Sequence, residues 1–250
     1  MGADPLENAL QAGVTALGLA MDSTAQGRLL AYVALLQRWS QVYNLTAVRD
    51  PQAMLVQHVL DSLSVVPALE RFRAHGRDAC AAQPAPGGPH GPAVLPADAA
   101  QAPAAHSLRV ADIGSGAGLP GLVLAAACPS LRVWCVDAVA KKVSFIRQAA
   151  AELGLASVQA VHTRVEDWAD PEARGFDLVV SRAFASLQDF VGGTDHLLAP
   201  RGVWLAMKGR HPTEEIAALP EDVEVFHVEP LQVPGLEAHR CLVWMKKRTL

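Results

Sequence analysis

Apolar positions recur at helical spacing along the first third of the chain. In "STAQGRLLAYVALLQRWSQVYNLT", Leu29, Leu30, Val33, Leu36, Val42 and Tyr43 form one predicted stripe. "RDPQAMLVQHVLDSLSVVPAL" follows, with Met54, Leu55, Val59, Leu63 and Val66 as its buried face. Asp50 makes a sound N-cap, because its side-chain oxygen can accept an otherwise orphaned N–H, and Pro51 in the first turn has no N–H to lose. Pro67 is expected to end this helix.

The period changes near residue 108. Short apolar runs at 108–113, 132–137, 158–163, 176–181 and 202–209 alternate with the helical stretches "GLVLAAA", "KKVSFIRQAAAELG" and "LQDFVGGTDHLL". Such alternation predicts a parallel sheet with helices on both faces. The ending departs from it. "VEVFHVEPLQV" and "HRCLVWMKK" are too close together for a helical crossover and should pair antiparallel. The expected fold class is therefore α/β, a doubly wound Rossmann-like sheet with a terminal antiparallel hairpin and an N-terminal helical extension. Three segments result: helical residues 1–74, an Ala/Pro/Gly-rich connector at 75–107, and an α/β domain at 108–250. The connector has little to bury and many prolines, so disorder or loose packing is expected there.

Composition narrows the class. At 51% hydrophobic and 18% charged the chain is ordinary for a globular protein. No apolar run approaches a membrane span, and "MGADPLENAL" lacks the basic and apolar regions of a signal peptide. Cys80, Cys128, Cys135 and Cys241 are scattered without a C-x-x-C pair, so neither a disulfide framework nor a metal site is expected. A cytoplasmic monomer with reduced thiols is the expectation. The net charge of −4 weighs mildly against nucleic-acid binding, although a local basic patch can coexist with an acidic remainder.

The densest chemical signal is "VADIGSGAGLPGLVL". Glycines at a strand end let the backbone approach a ligand. Two patterns overlap there. Gly116, Gly118 and Gly121 spell the dinucleotide fingerprint G-x-G-x-x-G, whereas Asp112, Gly114, Gly116 and Gly118 spell D-x-G-x-G-x-G, typical of S-adenosylmethionine (SAM) enzymes. Asp137, at the end of the second strand, suits ribose hydroxyls under either pattern, or a helix cap. Glu166 and Asp167 follow the third strand, where SAM enzymes hold adenine, and Val165 supplies an apolar face; capping the next turn is the alternative. Arg182 follows the fourth strand, beside the expected reaction centre; a structural pair with Asp112 or Glu166 is its alternative. The terminal hairpin favours a SAM-dependent methyltransferase over a nicotinamide enzyme.

The methyl acceptor is approached by elimination. "SRAFA" stands where exocyclic-amine methylases carry an Asn/Asp-Pro-Pro-aromatic loop. Cys128, Cys135 and Cys241 read as small buried hydrophobes, not as nucleophiles for pyrimidine C5 chemistry. Guanine N7 has a ready lone pair and needs no base. Arg49, Lys141, Lys142, Arg147, Arg164, Arg182, Lys208 and Arg210 are candidates for RNA contact, with Lys246, Lys247 and Arg248 in the tail. For Arg147, Arg210 and the tail a solvated surface charge is the better reading.

Seven stretches carry a resemblance: "WSQVYNLTAVRDPQAMLVQHVLDSL", "DIGSGAGLPGLVLA", "DAVAKKVSFIRQ", "RVEDW", "FDLVVSRAFASL", "LAMKG" and "LQVPGLEAHRCLV". In this order they resemble the RsmG (GidB) family, bacterial methyltransferases of guanine N7 in small-subunit (16S) ribosomal RNA. The resemblance implies SAM as cofactor, and small-subunit rRNA or the small subunit as partner. It implies SAM contacts at Gly114, Leu119, Val165, Glu166 and Arg182, to which the loop reading adds Gly116, Gly118 and Asp137. Arg182 and Lys208 are expected near the base as catalytic residues. Asn44, Lys141, Arg164 and Lys208 are expected to face substrate. His58 and Asp61 match a further motif and are expected in structural hydrogen bonds. The family joins its helical segment to the first strand briefly, so the connector at 75–107 is a departure.

Overall fold

A computed structural model describes residues 4–75, 107–182 and 184–248. The expected disorder of the connector falls on 76–106, outside the described residues. Helix α1 (Pro5–Ala16) and the long α2 (Ser23–Tyr43) are followed by α3 (Pro51–Met54), a π-helical turn at Leu55–Leu60, α4 (Asp61–Leu63) and α5 (Val66–His75). Asp4, Asp22 and Asp50 cap α1, α2 and α3 by accepting backbone N–H groups.

Strands and helices then alternate: β1 (Arg109–Ile113), α6 (Gly121–Ala127), β2 (Arg132–Asp137), α7 (Ala140–Glu152), β3 (Val158–His162), β4 (Phe176–Ser181), α8 (Leu187–Thr194), β5 (Leu198–Lys208), α9 (Thr213–Ala217), β6 (Val223–Leu231) and β7 (Arg240–Lys247). One seven-stranded sheet forms in the order β3-β2-β1-β4-β5-β7-β6. Strands β1 to β5 pair parallel, whereas β7 is antiparallel to both β5 and β6. The expected Rossmann-like α/β class with a terminal antiparallel hairpin is therefore present. The order reverses between β1 and β4, and a doubly wound sheet opens its ligand crevice at that point.

Each strand sends alternate side chains into two cores. Val110, Val133, Leu178, Leu205 and Trp244 face a core shared with α1 to α7, while Ala111, Trp134, Val179, Trp204 and Val243 face a smaller one shared with α8. The N-terminal helices thus lie on the α6–α7 face. Among the described residues, no helix is long and apolar enough to cross a membrane.

Three local expectations are corrected. Pro67 does not end a helix; it sits in the first turn of α5, where a missing N–H costs nothing. Val42 and Tyr43 do not belong to the buried stripe of α2 and are 71% and 41% exposed, while Tyr32 and Leu35 complete that stripe. Strand β5 starts at Leu198, not at residue 202, because a register irregularity opposite Phe176–Leu178 lets it pass through Pro200 and Gly202.

Candidate active site

The loop after β1 crosses the carboxyl edge of the sheet at the switch point. Gly114, Gly116 and Gly118 hold φ values of +68°, +60° and +79°, which only glycine adopts without strain. Gly114 and Ser115 donate to the Val136 carbonyl at 2.9 and 3.1 Å, anchoring the loop on β2. A Cβ on Gly114 would meet nothing within 4 Å, so the loop's outer surface is open. Gly121 has another task. A Cβ there would lie 2.6 Å from Cys135 Sγ and 2.7 Å from Asp112 Oδ2, so its lack of side chain lets α6 dock on the sheet.

Two carboxylates organise this loop. Asp112 is fully buried; its Oδ2 accepts from the Gly121 N–H at 2.9 Å and its Oδ1 has no protein partner. Burial pushes its pKa up to about 7, against smaller opposing effects from the Gly121 N–H and the Arg182 charge. Asp137 Oδ2 accepts from the Gly116 N–H at 2.9 Å and its Oδ1 from the Val139 N–H at 2.8 Å, with Lys142 Nζ 3.6 Å from Oδ2. It therefore pins the loop and turns the chain into α7, and each oxygen keeps a lone pair for a further donor.

Helix α2 braces the loop from the other side. Buried Tyr32 donates its hydroxyl to the Ala117 carbonyl at 2.9 Å, and burial raises its pKa. Sequence reading missed this residue because a tyrosine within an apolar stripe carries no sign of its distant partner.

Arg182 leaves the end of β4. Its Nη1 donates to Asp61 Oδ2 and to the Gln57 carbonyl, each at 3.2 Å. The alternatives of an ion pair with Asp112 or Glu166 are not what forms; Asp61 lies nearer and reaches across from α4. Asp61 Oδ1 accepts from Arg240 Nε at 2.9 Å, so one buried carboxylate joins the ends of β4 and β7. His58, in the π-helical turn, meets Thr46 Oγ1 through Nε2 at 2.7 Å. Burial, then the Arg182 charge, lowers its pKa. His58 and Asp61 thus bond to different partners and not to each other.

Lys208 ends β5 beside β4, in the register that pairs Ser181 with Ala206. Its Nζ donates to Glu215 Oε2 at 2.7 Å and to the Phe184 carbonyl at 3.4 Å. The same Glu215 oxygen accepts from the Leu187 N–H, so α9 holds both the lysine and the start of α8. No motif pointed to Glu215.

The remaining predicted residues distribute around this edge. Leu119 is buried behind the loop. Val165 is buried in a 3₁₀ turn after β3 that presents exposed Glu166. Lys141 and Arg164 are exposed. Asn44 closes α2 in the left-handed conformation at φ +49°, and its Oδ1 accepts from Arg49 at 2.6 Å. Lys246 and Lys247 lie at the other end of the sheet, because β7 runs antiparallel, and pair with Glu224 and Asp195. Cys128, Cys135 and Cys241 are buried free thiols; burial pushes Cys128 up to about 12 and raises the other two.

Known proteins agree with the resemblance carried by the motifs. The model of the family "rRNA small subunit methyltransferase G" matches residues 25–80 and 98–243. A ribosomal RNA small subunit methyltransferase G from Paracidovorax citrulli (strain AAC00-1) is 52% identical over 248 residues, 99% of this chain and 93% of that one. Another from Acidovorax sp. (strain JS42) is 50% identical over 240 residues, 96% and 95% of the two chains. Among solved structures, TrmN from Thermus thermophilus aligns with a TM-score of 0.47 and 22% identity, over 57% of this chain and 44% of that one. The chain belongs to the family of rRNA small subunit methyltransferase G.

Proposed function

We propose that this chain transfers the methyl group of SAM to N7 of a guanine in 16S rRNA of the small ribosomal subunit. The observation that carries the reading is the open glycine loop at the β1/β4 switch point, with Asp137 and Arg182 on the same edge, in a member of this family. The site fits the cofactor. The loop leaves open space above Gly114, and Asp112 Oδ1 is a buried acceptor without a protein donor.

Gly114, Gly116 and Gly118 would let the backbone run against the cofactor, with Leu119 behind them. Asp137 would accept the ribose hydroxyls, Val165 and Glu166 would hold the adenine, and Arg182 would meet the carboxylate. The bound cofactor supplies an electrophilic methyl on a sulfonium. Guanine N7 carries a lone pair and no proton, so transfer would release S-adenosylhomocysteine and these residues would have no proton to remove. Their work is alignment and exclusion of water. Arg182 and Lys208, on neighbouring strands, would orient the base, Lys208 by moving a donor from Glu215 to a guanine acceptor. Asn44, Lys141 and Arg164 would touch the RNA around it.

The test uses small subunits from a strain lacking this gene, incubated with purified protein and methyl-labelled SAM. Digestion should yield labelled 7-methylguanosine from a single position. SAM binding without label would point to another acceptor or a non-catalytic module; no SAM binding would overturn the cofactor reading.

A further inference from the structure

A cleft of about 310 Å³ opens between the end of β5, the last residues of β6 and the start of β7. Its lining is Gly209, Arg210, His211, Val228, Pro230, His239, Arg240 and Cys241. Two arginines and two histidines form its polar part, with no carboxylate, and Val228, Pro230 and Cys241 give an apolar floor. Arg210 has no ion-pair partner among the described residues. The turn carrying it is fixed, because Cys241 Sγ donates to the Arg210 carbonyl at 3.3 Å. Arg240 spends Nε on Asp61 and Nη1 on the His239 carbonyl, at 2.9 and 3.0 Å, which leaves Nη2 without a hydrogen bond among the described residues.

The position is as telling as the chemistry. Lys208 pairs with Cys241 in the sheet, so the cleft begins one strand away from the proposed base-orienting lysine. Asp61 ties the cleft's Arg240 to Arg182 at the cofactor site. A basic rim over an apolar floor suits a nucleotide, with donors for the phosphodiester and a surface for the sugar or base.

We infer that this cleft seats a phosphodiester and its nucleoside from the rRNA strand flanking the methylated guanine, with Arg210 and His239 as its exposed donors. This rests on the methyltransferase reading above. It also revises the sequence expectation that Arg210 is only a solvated charge.

The experiment compares wild type with an Arg210→Ala/His239→Ala double variant and with Arg210→Glu. Both positions are exposed, so both variants should fold, as thermal unfolding will confirm. Expected are a roughly tenfold higher KM for small subunits, unchanged SAM affinity, and a log–log salt dependence of RNA binding shallower by about 1 to 2. Arg210→Glu should weaken binding further. Unchanged KM and unchanged salt slope would overturn the inference. So would lost binding to intact subunits with unchanged binding to naked 16S rRNA, which would assign the cleft to a ribosomal protein. Binding to naked rRNA is read without turnover, so it tests the cleft even if wild type methylates nothing, an outcome that would sink the methyltransferase reading alone.

Discussion

Gly116 holds φ +60° while its N–H is tied to Asp137. A side chain there would be strained by about 1 kcal/mol or more and would project where the cofactor is proposed to lie. Gly116→Val should abolish SAM binding measured by calorimetry, while far-UV circular dichroism stays native. Retained affinity would remove the loop from the cofactor site. Asp112 makes a prediction about pH. Its pKa, near 7 in the fold against 3.8 as a free side chain, means the native state binds more protons between those values. Stability from this group is therefore full in acid and is lost as pH rises from about 4 to 7, by about 4 kcal/mol at most. Asn has the same shape and keeps an acceptor for the Gly121 N–H. Asp112→Asn should gain stability relative to wild type between pH 5 and pH 8, read from urea midpoints. A constant difference across that range would show that Asp112 stays charged throughout.

At the scale of elements, local chemistry was legible and long-range chemistry was not. Asp50-Pro51 announced α3, the glycines announced the loop, and the short gap before "HRCLVWMKK" announced the antiparallel hairpin. Val42 and Tyr43 misled because helical spacing does not say where packing stops; α2 extends past its neighbours there. The partner of Arg182 was illegible for another reason. Asp61 lies on a different segment of the fold, and nothing in "HVLDSL" marks which arginine it meets. The π-helical turn just before it sets the phase of that helix, so that the Gln57 carbonyl and the Asp61 carboxylate face one guanidinium. Asp61→Asn should leave Arg182 and Arg240 as like charges around a neutral amide. A loss of about 1–3 kcal/mol is expected, since both arginines are partly exposed. SAM affinity should fall as well, and Arg240→Ala, which breaks the other arm only, should spare it. Unchanged SAM affinity in Asp61→Asn would reduce Asp61 to a structural brace.

On the scale of the whole molecule, the helices before the connector and the sheet after it share one core, so neither can bury its apolar face alone. The chain leaves that core at α5 and re-enters it at β1, and the two points are held together. Arg73 Nη1 donates to Ser130 Oγ at 2.6 Å, and Ser107 Oγ donates to the Ser130 carbonyl at 2.7 Å. One serine between α6 and β2 thus receives both ends of the excursion. A bridge across so small a gap needs only a few residues, and shortening a closed loop lowers its entropic cost by roughly 1 kcal/mol. Replacing residues 76–106 with an eight-residue Gly/Ser linker should therefore keep the fold, leave the thermal midpoint unchanged or slightly raised, and leave SAM affinity intact. A lowered midpoint would show that the replaced stretch packs on the folded part. A midpoint unchanged with a raised KM for small subunits would show instead that it contacts the ribosome, a role that stability measurements alone would never reveal.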